Sequence, residues 1–427
     1  MVKIAITTFG CTLNKSDSEH FAGILKNAGH ILVNDESDAE LVIINSCVVK
    51  QVAENKLFKK LNQLKEQNKK IIIAGCVPQA RKELIETKLK DFSIIGVDQL
   101  DRIDEVVEQT LNNNIIQIIE TKSNARLNLP KIKHNATIEI IPISQGCLGN
   151  CTYCITKLAR GNLVSYDSIA IINNAQAAIT AGCKEIWLTS QDCGAYGKDI
   201  GTNIIGLLNK LITLKGDFKI RLGMANPNFI KDYVSDLIQI FQSDKMFKFL
   251  HIPLQAGSNK VLKDMNRFYI REDFINIVEK LRKNMPKINI ATDIICGFPT
   301  ESESNFQETI DVINKTKPDI INISRFWPRP NTPANDLKPL NSKEINRRSK
   351  LITELAKNIS KDNLKSWIGW SGNIIIDHIG KDNSFVGRND SYKPIVIKNP
   401  KTKLNLGDIV NIKVIDSTTH HLIGELK

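Results

Sequence analysis

No stretch of this 427-residue chain holds 18 consecutive apolar residues, which excludes a membrane-spanning helix of ordinary length. The amino terminus, Met1-Val2-Lys3-Ile4-Ala5-Ile6-Thr7, has neither the long apolar core nor the cleavage site of a secretory signal, and reads as a first strand. Internal repeats and low-complexity tracts are also missing, so ordinary globular domains are expected, two or three for this length. Without a secretory signal the nine cysteines are not a disulfide framework. In a reducing compartment their grouping points to metal binding or catalysis, and the expected location is cytoplasmic, away from membranes. Positive charge is in excess: the net charge is +12 and the pI about 9.1, which favours an anionic partner. A Lys- and Asn-rich proteome produces the same balance, so charge alone does not specify nucleic acid.

The expected fold class is α/β in three domains: a parallel α/β sheet domain (1–120), a central partial α/β barrel (133–363) and a small β-barrel (364–427). In the first, strands over Lys3–Thr8, Glu40–Ile44 and Lys70–Ala74 alternate with helices, one opened by a capping box at Ser16-Asp17-Ser18-Glu19 and closed at Gly29, another over Lys56–Lys69. Residues 121–136 have no clear period and read as a linker. Six strand runs follow at Thr137–Ile143, Glu185–Thr189, Lys219–Met224, Phe249–Pro253, Asn289–Ile295 and Ile320–Arg325. From about Gly369 short strands are broken by Gly, Asn and Asp, at Asn373–His378, Ser384–Gly387, Pro394–Lys398, Ile409–Ile415 and His421–Glu425. Ser371–Lys427 carries eight Lys/Arg against six Asp/Glu, so the basic excess lies elsewhere and weak intrinsic RNA affinity is expected of this barrel.

Six of the nine cysteines form two sets of three. Cys11, Cys47 and Cys76 each follow a strand of a parallel sheet, where such folds bind ligands, and spacings of 36 and 29 residues suit βαβ units. Three small buried hydrophobes at strand ends are the alternative. Cys147, Cys151 and Cys154 crowd one loop after the first barrel strand, with Gly146 and Gly149 letting the backbone wrap a bulky group. A structural zinc needs a fourth ligand and usually two CxxC pairs, and a redox CxxC needs only Cys151 and Cys154. Three thiolates suit a [4Fe–4S] cluster whose fourth iron stays open for S-adenosylmethionine, the source of a 5′-deoxyadenosyl radical. Two half-open clusters in one chain suggest radical chemistry coupled to sulfur transfer.

Residues Gly10–Glu19, Asn45–Lys50, Ala74–Gln79, Gly146–Cys154, Ala159–Leu163, Trp187–Gly197 and Ala291–Pro299 resemble the methylthiotransferase family of radical SAM enzymes, nearest the threonylcarbamoyladenosine tRNA methylthiotransferases of archaea and eukaryotes. The terminal barrel resembles their RNA-binding TRAM domain. The resemblance implies that Cys11, Cys47 and Cys76 ligate an auxiliary [4Fe–4S] cluster and Cys147, Cys151 and Cys154 the radical SAM cluster. One S-adenosylmethionine then methylates a sulfur at the auxiliary cluster, and a second generates the radical that takes hydrogen from C2 of threonylcarbamoyladenosine beside the anticodon. It also implies a tRNA substrate, an electron-donor protein and a sulfur source. Eukaryotic relatives add a C-terminal membrane anchor, which this chain lacks, so a soluble protein is expected. Ser190, Gln191 and Asp192, with His251, Gln255, Ser258, Arg221 and Asp293, are candidates for cofactor or substrate contacts at strand ends. Ala256 stands where the family often has serine. Cys183, Cys193 and Cys296 read as core or loop residues, Cys193 the most exposed of them. Arg347, Arg348, Lys350, Lys357, Lys361 and Lys365 either flank an RNA path or form a solvated helix face. The same chemistry on isopentenylated adenosine or a ribosomal-protein side chain is the alternative. A non-catalytic iron–sulfur RNA-binding or redox-sensing protein is another, but a passive sensor has no need of an open iron.

Overall fold

The computed structural model describes residues 1–49, 51–121 and 126–427; Lys50 of the Asn45–Lys50 stretch and residues 122–125 of the expected linker lie outside them. The first sheet has six parallel strands, β1 (Lys3–Thr8), β2 (Ile31–Leu32), β3 (Leu41–Ser46), β4 (Lys70–Gly75), β5 (Ser93–Ile95) and β6 (Gln117–Ile118), in the order β2-β1-β3-β4-β5-β6. Continuous apolar runs such as Leu41–Ile44 and Ile71–Ile73 are buried on both faces, as a helix-covered parallel sheet requires. One apolar layer lies under helices α2 (Gln51–Glu66) and α3 (Cys76–Ala80), the other under α1 (Thr12–Asn27) and the helix Ile103–Leu111.

The capping box expected at Ser16 does not start its helix. α1 begins at Thr12, with Cys11 as its N-cap, because the chain turns straight out of β1 at Gly10. Ser16, Asp17, Ser18 and Glu19 are therefore inside the helix and buried. Residues 126–136 lie against α1: the Ile132 N–H donates to the Glu19 carbonyl at 2.9 Å, and Arg126 is buried beside Asp17.

Six strands form the central part: β7 (Ile138–Pro142), β8 (Glu185–Thr189), β9 (Lys219–Leu222), β10 (Phe249–His251), β11 (Asn289–Cys296) and β12 (Ile320–Arg325). They pair in parallel as two three-stranded sheets, which meet at an Ile220–Met246 bridge. Ile186, Leu188, Ile220, Leu222, Ile290 and Ile294 face the helices in the largest apolar core. By the two-residue period Trp187, Arg221, His251, Asp293 and Asn322 face the concave interior.

A closed five-stranded barrel completes the chain: β13 (Ser371–Ile379), β14 (Ser384–Arg388), β15 (Pro394–Lys398), β16 (Ile409–Ser417) and β17 (Leu422–Leu426), in the order β13-β14-β15-β17-β16. Its Tyr392 packs with Phe247, Phe249, Ala291 and Trp187 at the entry end of the central strands, and its Lys393 Nζ donates to Asp319 Oδ1 at 2.7 Å. The small barrel thus floors the central one at the entry ends of β7–β12, opposite their carboxyl ends. No helix of the described residues is long and apolar enough to cross a membrane.

Candidate functional site

β1, β3 and β4 are adjacent and parallel, so their carboxyl ends bring Cys11, Cys47 and Cys76 to one edge. The connections leave β1 and β3 in opposite directions there, which opens a crevice. Cys11 is exposed; Cys47 and Cys76 are buried. Asn14 joins them: Cys11 Sγ and Cys76 Sγ lie 3.6 and 3.7 Å from its Oδ1, and its Nδ2 donates to the Ser46 carbonyl beside Cys47 at 2.9 Å. Gly10 (φ +121°) allows this closeness, since a Cβ there would lie 2.8 Å from Cys47 Cβ.

Arg160 crosses to this edge from the compact motif. Its helix α4 (Thr156–Arg160) starts two residues after Cys154. The guanidinium is 3% exposed and donates from Nε to Cys76 Sγ at 3.3 Å, and from Nη2 to Asn14 Oδ1 and Asp17 Oδ2 at 2.9 and 2.8 Å. Its Nη1 is buried with no partner among the described residues. Burial raises the Asp17 pKa, but Arg126 and Arg160 outweigh it and hold the carboxyl below its ordinary range. Burial also pushes the Cys76 thiol up, against the pull of Arg160.

The compact motif folds around Gly146 (φ +76°), where a Cβ would collide with the Asn162 carbonyl oxygen at 1.9 Å. The Cys147 N–H donates to the Gly161 carbonyl at 3.1 Å, Cys147 Sγ accepts from the Gly149 N–H at 3.3 Å, and Cys151 Sγ accepts from Arg267 Nη1 at 3.1 Å. Arg267 Nη2 is a second buried donor without a partner among the described residues. Burial, reinforced by the nearby Asp192 carboxylate, pushes the Cys147 thiol up to about 12. The loop after β12 spans both sets. Its Ala334 N–H donates to the Thr152 carbonyl at 2.8 Å, and its Arg329 Nη2 donates to the Val49 carbonyl at 2.6 Å.

The other candidates divide by environment. His251 Nε2 lies 2.8 Å from Asp293 Oδ2, and Asn322 Nδ2 donates to Asp293 Oδ1 at 2.9 Å, forming a polar row across the concave face. Gln191 Oε1 is buried with no partner among the described residues. Ser190 Oγ accepts from the Asp192 N–H at 3.0 Å, and Asp192 accepts from the Gly194 and Asn226 N–H groups at 3.0 and 3.1 Å, so both shape the loop after β8. Burial pushes the Asp192 carboxyl up to about 6. Gln255 adopts a left-handed conformation (φ +67°), and its N–H donates to the Asp293 carbonyl at 2.8 Å. Ser258 is buried and donates to Glu308 Oε1 at 3.1 Å. Arg221 stacks on Trp187, Phe249 and Tyr392 at 5.0, 5.1 and 5.1 Å, at the floor rather than at the strands' carboxyl ends.

Cys193, expected to be the most exposed of the remaining cysteines, is fully buried: its N–H donates to the Met224 carbonyl, and Gly223 covers its sulfur. Arg347 pairs with Glu303 and Glu344, and Arg348 is buried against Glu301, so neither presents a free charge. Lys350, Lys357, Lys361 and Lys365 are exposed. Sequence reasoning missed Asn14, Asp17, Arg126, Arg267 and Arg329 as parts of the site. Asn14 and Asp17 had only their closeness in sequence to Cys11 as a signal, and Arg126, Arg267 and Arg329 lacked even that.

Both cysteine sets fit an anionic cluster. Each is lined by a guanidinium that touches one sulfur and keeps a further, buried N–H without a partner among the described residues, whereas three thiolates around an iron–sulfur cube carry net negative charge. Among the described residues no three His, Cys, Asp or Glu side chains are close enough to share a single metal ion. A cube instead takes each thiolate on a different iron. Val49, Val52, Leu148, Leu158, Phe268 and Trp327 are exposed, each within a few residues of a cysteine or of Arg267 or Arg329.

Residues 3–96 match the model of an uncharacterized protein family, UPF0004; residues 141–313 match the radical SAM superfamily and residues 372–427 the TRAM domain. The human threonylcarbamoyladenosine tRNA methylthiotransferase is 40% identical over 99% of this chain and 74% of its own length. A probable enzyme of that name from Pyrococcus horikoshii is 36% identical over the full length of both chains. Among solved structures, a radical S-adenosylmethionine methyltransferase from Kitasatospora setae aligns with a TM-score of 0.54 at 11% identity, over 78% of this chain and 75% of that one. That last likeness is one of fold.

Proposed function

This chain belongs to the threonylcarbamoyladenosine tRNA methylthiotransferases, and from that membership we propose how its residues divide the work. It is an enzyme that methylthiolates C2 of the threonylcarbamoylated adenosine next to the tRNA anticodon, with two [4Fe–4S] clusters and S-adenosylmethionine as cofactors. When bound, these groups supply a carbon-centred radical and a methylated sulfur.

Cys11, Cys47 and Cys76 hold the auxiliary cluster, and Cys147, Cys151 and Cys154 the radical SAM cluster. The observation that carries this division is Arg160. It belongs to the helix that continues the compact motif, yet its guanidinium reaches the sulfur of Cys76, so the two sites are built as one unit. Arg160 and Arg267 offset the clusters' negative charge and hold the sulfurs they touch in place. Gln191 Oε1 is free to accept a hydrogen bond from the cofactor's ammonium group. Asp293, held on both oxygens, keeps the His251 ring turned into the concave face. Ser190, Asp192 and Gln255 act through the loop backbones they fix, and Arg221 acts through the floor. The exposed Phe268 and Trp327 at the mouth suit unstacked bases, which stack on aromatic side chains wherever single-stranded RNA is bound. The three expected domains, 1–120, 133–363 and 364–427, then correspond to sulfur delivery, radical chemistry and RNA capture. An electron-donor protein and a sulfur source complete the reaction, in the cytoplasm.

The test is mass spectrometry of tRNA nucleosides from a strain lacking this gene, complemented with the wild-type chain or with Cys11, Cys47 and Cys76 all changed to alanine. The methylthiolated nucleoside is expected to disappear on deletion, to return with the wild-type chain and to stay absent with the triple variant. Loss of a different modification, with this one intact, overturns the substrate assignment.

A further inference from the structure

The loop that follows β12 belongs to the central barrel, yet it is fastened to both cysteine sites. At one end the Ala334 N–H donates to the Thr152 carbonyl, between Cys151 and Cys154, at 2.8 Å. At the other, Arg329 Nη2 donates to the Val49 carbonyl, two residues past Cys47, at 2.6 Å. Its Nη1 lies 3.3 Å from Gln51 Oε1 and 3.7 Å from Glu54 Oε2. Glu54 is held in turn by Arg81 Nη1, at 3.0 and 3.1 Å to its two oxygens. Arg81 follows α3, the helix that Cys76 begins. Arg329 and Glu54 are each 5% exposed, and the Arg329 carbonyl accepts from Thr332 Oγ1 at 2.7 Å, which fixes the loop behind the guanidinium. The Cys47 and Cys154 sulfurs both bear on the Arg329 charge, so the guanidinium feels one sulfur of each set.

We propose that Arg329 is a positioning residue for sulfur transfer: through Val49, Gln51 and Glu54 it braces the auxiliary site against the radical site and sets the gap that sulfur must cross. A buried ion network of this kind adds little net stability, and its best-attested use is to fix one register between packed parts. Reactions between separately bound groups lose rate steeply when their separation changes by as little as about 1 Å. Radical generation needs only the compact site, whereas transfer needs both. The brace therefore affects the yield of product per cofactor cleaved and leaves cleavage itself alone.

This inference rests on the two-cluster assignment above, and the experiment separates the two. Wild-type, Arg329→Gln, Arg329→Lys and Glu54→Gln chains are reconstituted anaerobically. Three things are measured: iron per chain, the ratio of methylthiolated nucleoside to 5′-deoxyadenosine, and the magnetic coupling between the two reduced clusters by pulsed paramagnetic resonance. The wild-type chain is expected to hold about eight irons and to form product; if it does not, the functional assignment fails before the brace is tested. Arg329→Gln is expected to keep iron and cleavage while product per cleavage falls roughly tenfold or more and the coupling weakens or broadens. Arg329→Lys keeps the charge but cannot span Val49 and Gln51 together, and is expected to resemble Arg329→Gln. Glu54→Gln removes the anchor from the other side and gives the same signature if Arg329→Gln folds poorly. An unchanged product ratio in the folded variants, or full rescue by lysine, overturns the brace.

Discussion

Arg160 shows how one side chain can carry two sites. It offers three occupied donor contacts and one unoccupied donor in a place where Cys76, Asn14 and Asp17 are all buried. Removing one member of a buried ion pair typically costs about 3–5 kcal/mol, because the partner charge stays behind without compensation. Asp17 keeps Arg126 as a second partner, so the lower end of that range applies here. Arg160→Gln is accordingly expected to lower unfolding stability by roughly 3 kcal/mol. It should also reduce bound iron from about eight toward about four per chain, since the auxiliary site loses both its donor to Cys76 and its balancing charge. Denaturant titration and iron analysis check the two effects, and retention of all the iron would remove Arg160 from the site. The six cysteines were legible because spacing survives in one dimension. Arg160 was visible only as part of the Ala159–Leu163 resemblance, and Arg329 not at all, because a buried cation serving residues far away in sequence leaves no periodic trace.

At the scale of elements, the longer strands were read to within a few residues, the short β2, β5 and β6 of the first sheet were not anticipated, and other misreadings fall where polar residues are buried. Ser16-Asp17-Ser18-Glu19 has the pattern of a helix cap because such residues normally sit at a solvated terminus. In α1 Asp17, Ser18 and Glu19 point instead at Asn45, Arg126, Arg160 and Lys131, so the same letters mark an interior contact. Residues 126–136 misled in the complementary way: they lack a pattern of their own because they follow the surface of α1. Pro130 and Lys131 cross that helix directly over Gly23, where a Cβ would lie 2.3 Å from the Lys131 nitrogen and the Pro130 carbonyl carbon. Helix propensity alone says that Gly23→Ala stabilises by about 1 kcal/mol. The backbone overhead reverses the sign, and a loss of roughly 1–3 kcal/mol is expected. Thermal unfolding of the variant decides between them, and a raised melting temperature would mean that the segment lifts off α1 at little cost.

For the whole molecule, the unresolved tension lies where the small barrel floors the large one. Glu185, at the entry end of β8, is fully buried near Asp377 of β13, and each keeps one buried carboxylate oxygen with no partner among the described residues. Burial first, and the Asp377 charge second, push the Glu185 carboxyl from 4.5 up to about 7, against the hydrogen bond from Trp187. A carboxyl whose pKa is raised on folding destabilises the folded state as pH rises. Below about 4.5 it is protonated folded and unfolded alike, so there is no penalty. Between about 4.5 and about 7 the unfolded chain releases the proton while the folded chain keeps it, and stability falls throughout that window. Above it the full penalty, roughly 3 kcal/mol, is in place. Glu185→Gln keeps an oxygen for the Trp187 N–H and removes the charge. It is therefore expected to raise the melting temperature clearly at pH 8 and only slightly at pH 5. An equal gain at both values would assign the effect to packing, and a loss at pH 8 would mean that the ionised carboxylate is held by Arg388 and Arg221 and helps to dock the two barrels. Because the floor lies at the opposite end of the strands from the cysteines, iron content and cofactor cleavage are expected to stay constant while docking stability moves. The chemistry at the mouth and the terminal barrel at the floor can then be varied separately.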